Sequence, residues 1–376
     1  MIKYKMCAPC LFGVEGILSE ELKRLGAENI KCENGRVMFD GDMNILAAAN
    51  IQLRTAERVL LVIGAFNAVS FEELFNNVNS LEWERFLSRT DAFPVVGYSI
   101  ASALHSVPDC QSIIKKAIVK RLQKAYGISR FEETGALHKV RFSIHKNEVM
   151  VAIDTSGEGL HKRGYRSNSV IAPIKETLAA AMCYLARIYP DTQLYDPFCG
   201  SGTILIEAAM MAKNLAPGMH RFFAAERFNS EFKEAFAKCR TQALNSVKNN
   251  ISFCAYGSDI DNEAVRLTLE NAKKAGVSEL VKAKTGDVSQ LEFQSERLLL
   301  ITNPPYGERL LDVKAAESLY KLMGKKMPKE SGKKYFIISP HDEFEHFFGR
   351  SADKRRKLYN GMLKCQVFMY FKGERT

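Results

Sequence analysis

The sequence predicts an α/β protein in which a large, mostly parallel sheet follows a smaller α+β module. From residue 172 onward, short apolar strands alternate with amphipathic helices, and this alternation is typical of a parallel sheet with helices on its faces. The last two strand-like segments, Lys357–Asn360 and Lys364–Phe371, follow each other closely and predict an antiparallel hairpin at the sheet edge. Residues 1–156 mix strands and helices without that alternation.

Four units follow from this pattern. Residues 1–60 form a small α+β segment in which Asp42 is positioned to cap a helix, and residues 61–156 form a second module. In the second module, Ser70 opens one helix and Gly127 ends another, whose apolar stripe includes Ala125. Residues 157–171 are expected to be a linker, and residues 172–376 the large α/β domain.

Composition narrows the class of protein. The 376 residues are 46% hydrophobic and 26% charged, which is ordinary for a globular protein. No apolar run reaches membrane-spanning length and no signal-peptide core is visible, so a cytoplasmic location is expected.

Nine cysteines in a long chain favour reduced thiols. Cys7 and Cys10 have the spacing of a redox or zinc motif, but no second close pair accompanies them, so we expect core cysteines and no metal.

Positive charge is concentrated in the middle of the chain. The net charge is +10; residues 1–110 carry −4, whereas residues 111–170 carry +7. Lysines at four-residue spacing form one face of the helix after Val107, and we call this set the lysine row: Lys116, Lys120 and Lys124. Such a face can be an ordinary solvated surface. Further basic residues lie downstream, so we predict a surface that contacts a nucleic-acid phosphate backbone and also involves Lys162, Arg163 and Arg166.

The segment Asn303-Pro304-Pro305-Tyr306 directly follows the apolar strand Leu298–Ile301. Ligands of open α/β sheets bind beyond the carboxyl ends of the strands, so this segment is expected at a binding site. Its two prolines stiffen the turn. The Asn303 side chain and the Pro304 carbonyl offer acceptors beside the Tyr306 ring, an arrangement suited to a planar base with an exocyclic amine. An ordinary proline-rich turn would have the same sequence, so the interpretation depends on the accompanying motifs.

Three acidic residues are predicted at successive strand ends, Asp196, Asp259 and Asp287. The first precedes a glycine turn, Gly200–Thr203, whose backbone can approach a ligand closely. The turn matches neither a Walker loop nor G-x-G-x-x-G. Carboxylates can accept hydrogen bonds from ribose hydroxyls and an adenine amine. Because no basic phosphate clamp accompanies the three acidic residues, they favour a nucleoside cofactor that has no phosphate, such as S-adenosylmethionine.

The motifs DPFCGSGT (196–203) and NPPY (303–306), in this order, resemble those of class I S-adenosylmethionine-dependent amino-methyltransferases, which have a Rossmann-like sheet. The segments 161–165 and APIKETLAA (172–180) narrow the resemblance to RlmL-type ribosomal RNA guanine-N2 methyltransferases, which are often labelled N6-adenine-specific DNA methylases. The resemblance implies a ferredoxin-like segment at residues 1–60, a THUMP RNA-binding domain at 61–156 and a methyltransferase domain at 172–376.

The resemblance also implies roles for individual residues. Asn303, Pro304 and Tyr306 would hold the target base. The cofactor would contact the glycine turn, the acidic strand ends and a segment that closes over it: Asp196, Cys199, Gly200, Ser201, Gly202, Thr203, Asp259, Ile260, Asp287, Val288, Pro173, Lys175, Glu176 and Thr177. The expected reaction is methylation of guanine N2 in RNA, with 23S ribosomal RNA as the expected substrate. The alternatives are tRNA guanine-N2 methylation, N6-adenine methylation of nucleic acid, and a non-catalytic RNA-binding assembly factor.

Overall fold

The structure is a computed structural model that describes residues 2–166, 173–292, 297–306, 312–361 and 363–372. These residues form two seven-stranded sheets, one in each half of the chain. Within the described ranges, no helix is both long enough and apolar enough to cross a bilayer. Residues 167–172 lie outside the described residues. They comprise the C-terminal end of the predicted linker, residues 167–171, and Ala172 of the APIKETLAA motif.

The first sheet contains seven strands in the order β2-β3-β1-β4-β7-β6-β5. Its elements are, in chain order, β1 (Tyr4–Pro9), α1 (Glu15–Arg24), β2 (Glu28–Glu33), β3 (Arg36–Gly41), α2 (Met43–Gln52), β4 (Leu60–Asn67), α3 (Phe71–Ser80), β5 (Val95–Ile100), α4 (Val107–Tyr126), β6 (Val140–His145) and β7 (Glu148–Asp154). Since β1 pairs with β4, the two predicted N-terminal units share one continuous sheet, and their predicted boundary at residues 60/61 lies at the start of β4.

Local capping explains where several of these helices begin and end. Asp42 caps α2 by accepting from the Ile45 amide at 2.9 Å, and Ser70 caps α3 by accepting from the Glu73 amide. Gly127 ends α4 in the left-handed conformation, with φ of 63°, which glycine adopts without a Cβ penalty. The apolar stripe of α4 is buried as predicted except for its last residue. Ala125 is exposed, and its neighbour Tyr126 packs against the core in the final turn instead.

Cysteines 7 and 10 are buried at the first strand. Cys7 lies in β1 and is fully buried, and Cys10 follows that strand and is almost fully buried. Burial raises the pKa of both thiols far above the ordinary range. Both side chains therefore fit the predicted role of core residues, since a reactive cysteine needs a lowered pKa and access to solvent.

The second sheet has the order β10-β9-β8-β11-β12-β14-β13. Its elements are α5 (Glu176–Ala186), β8 (Gln193–Asp196), α6 (Thr203–Ala212), α7 (Ser230–Asn245), β9 (Cys254–Asp259), α8 (Asn262–Lys274), β10 (Val281–Thr285), β11 (Leu298–Thr302), α9 (Val313–Lys326), β12 (Lys333–Ser339), α10 (Phe344–Phe348), β13 (Lys354–Asn360) and β14 (Leu363–Tyr370). The first five strands pair in parallel, and β13 and β14 form the predicted antiparallel hairpin at the edge.

The strand order reverses between β8 and β11. From β8 the chain moves outward through β9 to β10, and it then returns to place β11 and β12 on the other side of β8. Such a reversal leaves a crevice beyond the carboxyl ends of the two central strands, where ligands of open α/β sheets bind. Asp196 is the last residue of β8 and Asn303 follows β11, so both flank this crevice.

A buried polar network joins the two halves of the chain. Arg163 is 6% exposed and forms an ion pair with Glu207 of α6, which is fully buried. The guanidinium also donates to the carbonyl oxygens of Arg54 and Leu160, and the Tyr165 hydroxyl donates to Glu207 at 3.1 Å. Because a buried charge needs a partner, these contacts fix residues 160–165 between the two sheets.

Candidate active site

The acidic strand ends and the proline turn line a single cavity of about 610 Å³. The cavity lies at the carboxyl ends of the parallel strands, where β8 and β11 flank the strand reversal. Most of the residues predicted for the cofactor contribute to its wall: Pro173, Asp196, Cys199, Gly200, Ser201, Thr203, Asp259, Ile260, Asp287 and Val288. Asn303 and Pro305 line it as well. The sequence motifs therefore meet at one site, with a volume ordinary for small-molecule pockets.

The glycine turn is held open by contacts with α8. Gly202 has φ of 80°, and a Cβ at this position would lie 2.8 Å from the Thr268 side chain. Thr268 donates to the Gly200 carbonyl at 2.8 Å, and Asn271 donates to the Ser201 carbonyl at 3.0 Å. Sequence reasoning missed these two α8 side chains, because nothing in the local pattern indicates that residues 68 and 70 positions further on support the turn. Gly202 itself contributes through this geometry and does not line the cavity.

Asp196 is the most buried acid of the site, at 2% exposure. It accepts from the Thr302 hydroxyl at 2.6 Å and from the Phe198 amide at 3.2 Å. Burial raises the pKa of Asp196 to about 7, since two hydrogen bonds do not replace the hydration that the carboxylate loses. A cation bound in the cavity would therefore interact with a carboxylate that little water screens.

The other two strand-end acids are more accessible. Asp259 accepts from the Gly200 amide at 2.9 Å and from the Asp261 amide at 3.1 Å, so it connects the glycine turn to the end of β9. Asp287 accepts from the Ser289 amide at 2.6 Å, and this hydrogen bond lowers the pKa of the carboxyl. The Ile260 side chain lies in the cavity wall with 74% of its surface exposed, which leaves an apolar face available to a flat ligand.

The proline turn presents one unsatisfied acceptor. The Asn303 Oδ1 atom is buried and has no hydrogen-bond partner among the described residues, although the residue lines the cavity. Pro305 lies in the cavity wall, whereas Pro304 is buried and, like Tyr306, does not line the cavity. The Tyr306 hydroxyl accepts from the Asn360 side chain at 3.0 Å, and burial raises the pKa of this phenol to about 12. Tyr306 therefore stays neutral, and the edge hairpin holds its ring.

The segment at the start of α5 reaches the cavity only through its first two described residues, Pro173 and Ile174. The next three residues, which were also predicted to contact the cofactor, do not line the cavity. Lys175 and Thr177 lie against Glu57 of the N-terminal half, and Glu176 forms an ion pair with Arg166 at 2.9 Å. These side chains hold the segment in place and do not form its ligand-facing surface.

The predicted RNA-contacting residues divide into two groups. The lysine row is exposed along α4, and Lys162 is exposed beside Glu158. The prediction is wrong for Arg163 and Arg166. Arg163 is buried against Glu207, and the guanidinium of Arg166 is occupied by Glu176 and by the carbonyl oxygen of Ile174. Both guanidinium groups form ion pairs within the protein. A count of local charge cannot distinguish such arginines from arginines exposed at the surface.

One wall of the cavity was not anticipated. Helix α9 forms this wall with a second, mostly apolar stripe: Ala315, Ser318, Leu319 and Leu322. Three of these residues directly precede a buried residue of the core-facing stripe, which contains Ala316, Tyr320 and Met323. Two adjacent apolar stripes on one helix indicate a helix that faces both a core and a pocket, and this signal is readable from sequence.

No group of three or more His, Cys, Asp or Glu side chains within the described ranges is arranged to hold a metal ion. Instead, Asp196, Asp259 and Asp287 bring carboxylates to the cavity from the ends of three different strands. Each can accept a hydrogen bond from an organic ligand.

Comparison with known proteins gives matches to three domain families. Residues 5–60 match the RlmL ferredoxin-like domain, residues 68–154 the THUMP domain, and residues 163–368 the RMKL-like methyltransferase domain. The third match covers more than half of the chain.

The similarity to known proteins extends over nearly the whole chain. "Putative RNA methyltransferase YpsC" of Bacillus subtilis is 40% identical over 373 residues, which are 99% of this chain and 97% of that protein. "Ribosomal RNA large subunit methyltransferase K/L" of Shewanella baltica is 34% identical over 98% of this chain, which spans only 53% of that protein's length. The crystal structure of SMU.472, "a putative methyltransferase complexed with SAH", is 40% identical, covers 100% of both chains and superposes with a TM-score of 0.93.

These matches agree with the architecture and with the cavity at the strand reversal. The chain belongs to the RMKL-like methyltransferase family, and an RlmL-type ferredoxin-like domain and a THUMP domain precede its methyltransferase domain.

Proposed function

We propose that this protein transfers a methyl group from S-adenosylmethionine to the exocyclic N2 amine of a guanine in RNA, with 23S ribosomal RNA as the substrate. The names of the relatives support an RNA substrate, and the SMU.472 structure contains S-adenosylhomocysteine, the product of such a transfer. The observation that carries the proposal is the buried Asn303 Oδ1, which has no hydrogen-bond partner among the described residues and belongs to the wall of the cavity that also contains the acidic strand ends.

The chemistry of the cavity fits the cofactor. Asp196 would hold the ammonium group of the methionine part, which also contacts the glycine turn, while Asp259 would accept from the ribose hydroxyls and Asp287 from the adenine amine. The Ser201 Oγ atom in the same wall is buried, and no described residue bonds to it, so it is available to a polar ligand group. When bound, S-adenosylmethionine supplies a methyl group that its sulfonium already activates.

The proline turn would prepare the amine. The lone pair of an exocyclic amine is delocalised into the ring, which makes the nitrogen a poor nucleophile. The Asn303 oxygen, together with the Pro304 carbonyl, would accept the two amine hydrogens and localise that lone pair, and this help is greatest as positive charge develops on nitrogen. An acceptor that is unpartnered and buried costs free energy until a donor arrives, so the site is arranged for a ligand N–H.

Reaching this turn requires the base to leave its stack. A stacked guanine buries its amine, so the enzyme would take a base from a loop or flip it from a helix, and the Tyr306 ring would support it. The lysine row and Lys162 would contact phosphates of the surrounding RNA, which gives affinity and register without reading the sequence.

The test is Asn303→Ala in the full-length protein. We expect methyl transfer to fall by at least about 100-fold, as for the loss of one oriented hydrogen-bond group at a reacting centre, while the affinity for S-adenosylhomocysteine changes less than twofold. Calorimetry measures the affinity, and transfer of labelled methyl to ribosomal RNA measures the rate. Normal turnover by this variant would remove the catalytic assignment.

Mapping the methylated nucleotide that disappears in a deletion strain distinguishes guanine N2 from adenine N6, and ribosomal RNA from tRNA.

A further inference from the structure

Glu57 belongs to the N-terminal half of the chain but contacts the segment that borders the cofactor cavity. It lies between α2 and β4, where its backbone N–H donates to the Pro9 carbonyl at 2.8 Å and its carbonyl accepts from the Leu160 amide at 2.9 Å. The ferredoxin-like unit thus fixes its backbone. Its side chain is 22% exposed and points toward the start of α5.

Three side chains of the connecting region and of α5 meet the Glu57 carboxylate. The Thr177 hydroxyl donates to Oε1 at 2.7 Å, and Oε2 lies 3.4 Å from the His161 Nδ1 atom and 3.6 Å from the Lys175 Nζ atom. Burial alone would raise the pKa of Glu57, but its interactions with His161, Thr177 and Lys175 lower it to about 2. The carboxylate is therefore ionised throughout the physiological pH range.

The start of α5 lacks a local cap. Its N-cap residue is Lys175, in an extended conformation, and the Lys175 side chain makes no capping hydrogen bond. Ser, Thr, Asp and Asn are the residues that normally satisfy the free amides there, and a negative charge near a helix N-terminus is stabilising. Glu176 places one carboxylate in the first turn itself, and the Glu57 carboxylate adds a second from a different domain and holds the first turn through Thr177.

The same turn carries the cavity wall. Pro173 and Ile174 line the cavity and immediately precede Lys175. On the inner side, Arg166 donates to the Ile174 carbonyl at 3.1 Å and to the Thr203 hydroxyl at 3.4 Å, and Thr203 lines the cavity as well. Held by Arg166 on one side and by Glu57 on the other, this part of the wall has a defined position.

We propose that Glu57 is a positioning residue for cofactor binding: through Thr177 and Lys175 it holds the segment Pro173–Thr177 against the cavity, so the affinity of the methyltransferase domain for its cofactor depends on a side chain of the ferredoxin-like domain. This inference rests on the proposed function, because it takes the cavity as the S-adenosylmethionine site. Ordering a wall before the ligand arrives increases affinity, since the ligand then does not have to order it.

The experiment is calorimetric titration of the full-length protein with S-adenosylhomocysteine. We expect Glu57→Ala to raise Kd at least about fivefold, the lower end of usual coupling between sites. Glu57→Gln keeps an acceptor for the Thr177 hydroxyl and loses the charge, so its Kd should lie between those of the wild type and Glu57→Ala. Glu28→Gln is the matched control, because it removes an exposed carboxylate of the same domain that pairs only with Lys3 among the ion pairs of the described residues. It should leave Kd unchanged.

Thr177→Val provides a second route, because it removes the hydroxyl with little change of shape. It should weaken binding, and combining it with Glu57→Ala should add less than the sum of the two effects, as expected for groups that act through one contact. Amide hydrogen exchange of residues 174–179 should accelerate in both variants without ligand, which a loss of ligand contacts alone would not produce.

The outcomes separate this inference from the proposed function. If the wild type does not bind S-adenosylhomocysteine, the proposed function fails. If the wild type binds and the folded variants Glu57→Ala and Thr177→Val bind within twofold of it, only the positioning role of Glu57 is refuted. Should Glu57→Ala fail to fold, Glu57→Gln and Thr177→Val decide the question in the same way.

Discussion

Replacing Asp196 with asparagine should stabilise the unliganded protein and, at the same time, weaken cofactor binding. The Asp196 carboxyl is 2% exposed, and burial raises its pKa to about 7, whereas an unfolded aspartate titrates near 3.9. Between these two pH values the unfolded chain loses a proton that the native protein retains. The free energy of unfolding therefore falls as pH rises from about 4 to about 7, and the full cost of the buried charge, about 4 kcal/mol, applies above pH 7.

Asp196→Asn removes that charge and keeps the shape of the side chain. Its amide oxygen can still accept from the Thr302 hydroxyl, while its new NH2 group lacks an evident acceptor among the described residues and costs about 1–2 kcal/mol. The net expectation is a gain of about 2–3 kcal/mol at pH 8, and a small loss at pH 4, where the wild-type carboxyl is protonated. Affinity for S-adenosylhomocysteine should fall at least about tenfold at pH 8, because the proposed partner of its ammonium group is gone.

The assay is urea unfolding of both proteins at pH 4, 6 and 8 without ligand, followed by calorimetric titration at pH 8. Asp287→Asn is the matched control: this strand-end acid is exposed, and the Ser289 amide lowers its pKa, so its replacement should not stabilise at any of these pH values. If Asp196→Asn is no more stable than the wild type at pH 8, the carboxylate is not the desolvated group described here. The proposal that Asp196 holds the ammonium group of the cofactor through a poorly screened charge would then be refuted.

Three further results are expected. Arg163→Ala should destabilise the protein by about 3–5 kcal/mol in urea unfolding, because it leaves the buried Glu207 without its charge partner; a change below 1 kcal/mol would contradict this. Tyr306→Phe and Asn360→Ala should each raise KM for RNA while Kd for S-adenosylhomocysteine stays constant, and the double variant should match the single ones, because both remove one hydrogen bond. Changing the lysine row to alanine should weaken RNA binding in filter assays and reduce the salt slope by about 2–3; an unchanged slope would place the phosphate contacts elsewhere.

The parts of the site that sequence could predict are those fixed by strand topology. Parallel strands end at the same edge of a sheet, so acids that follow successive apolar runs had to lie near one another. Asp196, Asp259 and Asn303 do line one cavity. Helix starts were predictable in the same way where a cap was local, as at Asp42 and Ser70, because each side chain bonds to an amide three residues ahead.

The parts that sequence could not predict depend on contacts between distant segments. Thr177 meets Glu57 across 120 positions of the chain, and Arg163 meets Glu207 across 44. Local pattern gives a residue's charge but not its partner, so Arg163 resembled a surface residue. The contact between Glu57 and the first turn of α5 is equally invisible to a local rule.

Arginines that pair with buried acids change how the basic middle of the chain is understood. Part of its positive charge neutralises internal acids: Arg141 pairs with Asp154, as Arg163 does with Glu207. These pairs lie within the THUMP-containing half and between the halves, where breaking them would leave charges without water. The two halves are therefore expected to move as one body, with the exposed lysine row at a constant separation from the cavity. Under the proposed function, a rigid separation would set the distance between the RNA phosphates that contact the lysine row and the base that enters the cavity.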